Sequence, residues 1–111
     1  MAKAMDKPTS SGGIPARRSA AYLLDRIIGD GKLLAELISD GALDRLDPPD
    51  RARAQRLATE VLRGLDRADK LISRHVKKPP PLPIRNLLRL GAVELAQGAA
   101  AHRRNARAPS R

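Results

Sequence analysis

The sequence predicts an all-α fold, a helical bundle of about five helices, and three observations carry that prediction. Leu, Ile, Val and Ala recur at i, i+3 and i+4 spacing in segment after segment. The apolar complement is dominated by Leu and Ala, strong helix formers, while β-branched residues are sparse and Tyr22 is the sole aromatic. Gly and Pro clusters separate the periodic segments, as helix boundaries require.

The elements follow in order. Residues 1–13, MAKAMDKPTSSGG, have the composition of a flexible leader. From Pro15 onward, Ala16, Ala20, Leu23, Leu24, Ile27 and Ile28 mark a first helix that ends at Gly29-Asp30-Gly31. A short second segment sets Leu33, Leu34, Leu37 and Ile38 on one face before Gly41. A third helix starts at LDPPD, where Asp47 is placed to cap the first amides, Pro48 suits the first turn and Asp50 complements the dipole. Its stripe is Ala54, Leu57, Ala58, Val61, Leu62 and Leu65, with Arg51, Arg53, Arg56 and Arg63 largely on other faces.

The register resets near Asp66, and Ala68, Leu71, Ile72 and Val76 make a fourth, short helix, for which Asp66 and Asp69 are expected to serve as caps. Lys77 to Pro83, KKPPPLP, reads as a stiff extended link. A fifth helix then carries an apolar stripe of Ile84, Leu87, Leu88, Gly91, Ala92 and Leu95, in which Gly91 predicts a close helix–helix approach. Periodicity fades after Ala101. The expected organisation is a leader over 1–13, a helical domain over 14–98 and a disordered basic tail over 99–111. Narrow, Ala-rich stripes predict modest stability for the chain alone.

Composition narrows the chemistry. Absence of cysteine removes disulfides, thiolate metal sites and cysteine nucleophiles, and it fits a reducing, cytoplasmic setting. His75 and His102 are too few for a multi-histidine metal site. The apolar runs fall short of the roughly 20 residues that cross a bilayer, so no membrane role is expected. Arg17-Arg18 is a poor export signal, because Asp25 and Arg26 break the run behind it and no small-residue cleavage site follows. Without strands the nucleotide-binding fingerprints lack their context, so no enzyme activity and no cofactor are expected.

Charge is the remaining signal. The formal net charge is +10, and it is polarised: residues 1–50 carry seven Lys/Arg against eight Asp/Glu, and residues 51–111 carry fifteen against four. A basic half of this kind predicts a polyanionic partner, with plain solubility as the alternative. The cations cluster as Arg17 and Arg18, as Arg51, Arg53 and Arg56, as Arg74, Lys77 and Lys78, and as Arg85 and Arg89, four apart on one face of the fifth helix. Guanidinium groups hold phosphate oxygens bidentately, so such clusters can follow a nucleic-acid backbone. With one aromatic residue, stacking on single-stranded bases is not available, and binding would be phosphate-directed and salt-sensitive. The pair Arg17-Arg18 poses its own question, because cations at the positive end of a helix are mildly unfavourable. Either they are solvated or an anion is expected there.

Three stretches together resemble the NusB-type domain: PARRSAAYLLDRI, then LDPPDRARAQRLATEVLRGLDRADKLI, then KKPPPLPIRNLLRLGAVEL. That domain occurs alone as the bacterial antitermination factor NusB and as the N-terminal RNA-binding domain of RsmB (Fmu/Sun) 16S rRNA cytosine-5 methyltransferases. The resemblance implies an all-α bundle and an RNA contact at the arginine-rich start of the first helix, which carries onto Arg17 and Arg18. The wording of the central stretch is more similar to the methyltransferase domain.

After AAAH the sequence departs from the family pattern, so the domain is expected to be incomplete at its C-terminus and truncated before the catalytic domain. Three functions follow as expectations. The first is the rRNA-binding part of such a methyltransferase. The second is a stand-alone antitermination factor paired with the ribosomal protein NusE, and the third is a helical protein-interaction module. Apolar faces left uncovered by an incomplete bundle would favour self-association.

Overall fold

The computed structural model describes residues 14–106, and all of its regular elements there are helical. The leader and residues 107–111 lie outside the described residues. The first helix, α1, spans Ile14–Leu24 and runs on into a π-helical turn, Asp25–Gly29. It stops where Gly31 adopts a positive φ of 71°, which lets the amides of Gly31 and Lys32 turn back to the carbonyls of Ile27 and Arg26. A short α2, Leu34–Ser39, begins with the Leu33 amide donating to Glu36 Oε1 at 3.2 Å. It ends in a Schellman turn: Gly41, at φ 90°, donates to Ile38 while Ala42 donates to Leu37.

Helix α3, Pro48–Arg63, starts with two prolines in its first turn. Asp47 occupies the capping position, yet its side chain makes no capping hydrogen bond; only its backbone carbonyl is used, by the Arg51 amide at 2.8 Å. The sequence-based cap is corrected in that respect. Helix α4, Leu65–Ser73, follows across Gly64. The proline link then leads into α5, Leu82–Ala106, whose first turn already contains Leu82 and Pro83, the end of the stretch expected to be extended.

The core is built mainly where α1 crosses α3, from Ala16, Ala20, Leu23 and Leu24 against Ala54, Leu57, Ala58 and Val61. Leu37 and Leu43 close one side and Leu90 of α5 the other. The stripes read from the first three segments therefore face the interior, except that Leu33 of the second is 69% exposed.

Helix α5 differs. Its buried face is Asn86, Arg89, Leu90 and Ala92, while Ile84, Leu87, Leu88 and Leu95 of the expected stripe are exposed, Leu95 by 72%. Gly91 makes no close approach, since a Cβ built there meets nothing within 4 Å. The physical reason is that the bundle turns a polar ladder of α5 inward and leaves the leucines outside. The helix also continues through residues 99–106, which were expected to be a disordered tail.

Candidate nucleic-acid interface

Helices α1 and α5 run antiparallel in a definite register. Arg17 meets Glu94, Asp25 meets Asn86, and Gly29 lies so near Leu82 that an added Cβ would sit 2.9 Å from its Cδ2. The C-terminal turn of α3, with Glu60 and Arg63, shares a groove with Ala96 and Ala100 of α5 and so lies toward the Arg17 end. Arg51 and Arg53 sit at the opposite end of α3, which at 1.5 Å per residue is about 15 Å away along its axis.

That register distributes the cations. Arg17 and Arg18 stand at one end of the bundle. Arg85 stands at the other, about 13 Å back along α5 from Glu94, where the link bearing Lys77 and Lys78 arrives. The fold does not gather the sequence-selected cations into one patch. Arg18, Arg53, Arg56, Lys77 and Lys78 are exposed, and Arg51 is half-buried.

Arg17 is already engaged. Its Nε donates to both carboxylate oxygens of Glu94, at 3.0 and 3.1 Å, with 39% of the arginine side chain exposed. Much of the apparent electrostatic conflict at the start of α1 is relieved by this partner on α5. Arg85 donates through Nη2 to the Pro80 carbonyl at 2.8 Å, which fastens the proline link to the first turns of α5.

Arg89 requires a correction. Its spacing in the sequence groups it with the phosphate-binding cations, but only 5% of it is exposed. Its Nε and Nη2 clamp Asp69 of α4 at 2.7 and 2.9 Å, and its Nη1 donates to Asn86 Oδ1 at 2.8 Å. Asn86, fully buried, donates in turn to Asp25 Oδ1 at 2.8 Å. The chain Asp25–Asn86–Arg89–Asp69 thus ties the end of α1, α5 and α4 together. The Arg89 hydrogen bonds hold the Asp69 carboxyl below the usual carboxylate range, opposed by partial burial and assisted by the positive charges of Arg89 and Arg85. Asp69 is accordingly a partner of Arg89 and does not cap α4. Sequence reasoning missed Asn86, Asp25 and Glu94 because each pairs with a residue far along the chain. The only available signal was two polar residues three apart in Arg-Asn-Leu-Leu-Arg, within an otherwise apolar run.

Among the described residues no group of three His, Asp or Glu side chains is placed to hold a metal ion, and no helix is long and apolar enough to cross a membrane. What remains is a small helical domain that presents cations at its surface and spends its interior polar groups on holding helices together. Those features define a class of small all-helical domains with a cationic surface. The chain matches the NusB family over residues 14–102 and belongs to it. NusB-family domains are non-catalytic RNA-binding domains of the antitermination type. No curated protein and no solved structure matches the chain.

Proposed function

We propose that this NusB-family domain binds RNA in the cytoplasm through phosphate contacts made by Arg17, Arg18, Arg51, Arg53, Arg56, Lys77, Lys78 and Arg85, and that its target is ribosomal RNA. The observation that carries the reading is the set of exposed cations on a domain of an RNA-binding family. Arg18, Arg53, Arg56, Lys77 and Lys78 are its strongest members, because they are exposed and make no ion pair among the described residues. Arg17 joins them by exchanging Glu94 for a phosphate, which its partial exposure permits. Arg89 is left out of the interface by its burial.

The wording of the central helix favours the rRNA-binding part of a 16S rRNA cytosine-5 methyltransferase. A stand-alone antitermination factor pairing with NusE is the second reading, and the NusB family match is compatible with both.

The test is fluorescence anisotropy with a 16S rRNA hairpin across a salt series. Binding should weaken linearly on logarithmic axes, by roughly 0.7–0.9 in slope for each phosphate neutralised. Arg18→Ala combined with Arg53→Ala should weaken binding several-fold and flatten that slope by about two contacts. Binding that ignores salt, or none, would sink the RNA reading. Co-purification with NusE, tested alongside, would favour the antitermination role over the methyltransferase one.

A further inference from the structure

A groove of about 660 Å³ runs between α4 and the second half of α5, closed at one end by the last turn of α3. Its floor is apolar: Ala68, Leu71, Ala92, Val93, Ala96 and Ala100. Its rim is cationic, with Arg63, Arg67, Lys70 and Arg74. These four recur at intervals of four, three and four residues, so they follow one edge across the junction of α3 and α4. Arg63 pairs with Glu60 at 3.3 Å, but Arg67, Lys70 and Arg74 form no ion pair among the described residues. The nearby carboxylate of Asp69 is taken up by Arg89.

The geometry points to this groove as a docking site for an amphipathic helix of a partner protein, with apolar residues on one face and Asp or Glu along its flanks. The walls are helices, so there is no open strand edge to extend with a peptide. The lining has no aromatic residue, which removes the platform that proline-rich ligands and unpaired bases both need. An RNA backbone would meet the rim but would bring phosphates and sugars to an apolar floor. An apolar helix face gains from that floor, and small alanine side chains let it approach closely. Acidic flanks complement the three unpaired cations.

The given stretches outside the bundle do not have that acidic, amphipathic pattern. Residues 107–111, RAPSR, are basic, and the leader carries Lys3 and Lys7 against Asp6. The acidic stretch around α2 spends Leu37 on its own core. This docking site is separate from the proposed RNA contacts and stands or falls independently of them.

The experiment uses the full chain and a fluorescein-labelled synthetic peptide of about 18 residues, roughly five turns. It carries leucines at i, i+3, i+4 and i+7 and glutamates elsewhere. A scrambled peptide of the same composition is the control. The amphipathic peptide should bind saturably, and the scrambled one about tenfold or more weakly. Ala96→Trp, which fills the floor at an exposed position, and Arg67→Glu with Arg74→Glu, which reverses the rim, should each weaken binding at least about tenfold. Leu71→Glu gives a second floor variant, and circular dichroism confirms that each variant keeps its helices.

Equal binding of the two peptides, or indifference to Ala96→Trp and Leu71→Glu, overturns the proposal. So does a 16S rRNA hairpin whose affinity drops with the rim variant while the peptide does not bind. Concentration-dependent self-association that Ala96→Trp abolishes would overturn it in favour of a second copy.

Discussion

Arg17 and Arg89 both read in the sequence as free cations on helix faces, and the fold treats them differently. Arg17 is half-exposed and shared with Glu94, so its pair is a weak surface interaction that a phosphate can replace. Arg89 is interior, and three of its hydrogen bonds are committed. Removing its carboxylate with Asp69→Ala leaves a buried guanidinium short of a partner. This should cost about 2–3 kcal/mol, below the usual penalty for a broken buried pair because the Asp69 side chain is 43% exposed. Asn86→Ala orphans donors on one side and the Asp25 carboxylate on the other, for about 1–3 kcal/mol. Urea denaturation measures both, and values within 0.5 kcal/mol of the parent would contradict a structural role.

Asp69 also makes a pH prediction with a definite sign. Its folded-state pKa is depressed, so its contribution is fully present above the unfolded value of about 3.9 and is lost as pH falls through the folded value. The melting temperature of the parent should therefore drop more steeply than that of Asp69→Asn once the pH falls below about 4. Parallel curves would refute the assignment. None of these pairings was legible in the sequence, because Asp69 and Arg89 lie 20 residues apart across a proline link. Periodicity reports faces, not partners.

At the scale of elements, α1 and α3 were readable because their stripes are continuous and each meets the other. Helix α5 was readable as a helix, but its inward face was not. The leucines form the more conspicuous stripe, yet Asn86 and Arg89 are the residues that find partners. Gly91 illustrates the consequence. It was read as a point of close packing, whereas space around it is open. Gly91→Ala should therefore stabilise the domain by about 0.5–1 kcal/mol through helix propensity, which thermal denaturation can check. A loss would mean that another surface meets α5 at that point. Gly41 behaves in the opposite sense, since its φ of 90° is strained for any side chain and an added Cβ would lie 2.9 Å from Asp44 Oδ2.

At the scale of the molecule, the radius of gyration is 15.8 Å, against about 13 Å for a compact chain of 100 residues. The end of α5 extends past α1, with residues 95–99 all exposed. Ile84, Leu87, Leu88 and Leu95 then form an unpartnered apolar face. If that face drives self-association, Leu88→Ser with Leu95→Ser should reduce the sedimentation coefficient at high concentration and leave the melting temperature nearly unchanged. A monomeric parent would remove this route.

Helix content, the order of the five helices and the positive half of the chain were determined by the sequence alone, because spacing and charge are local properties. Which cations remain free was decided only in three dimensions. Burial and pairing depend on what the register of α5 against α1 and α4 brings within about 3 Å, the reach of a hydrogen bond. That register puts Arg17 on Glu94, consigns Arg89 to the interior, and leaves Arg67, Lys70 and Arg74 along an apolar groove.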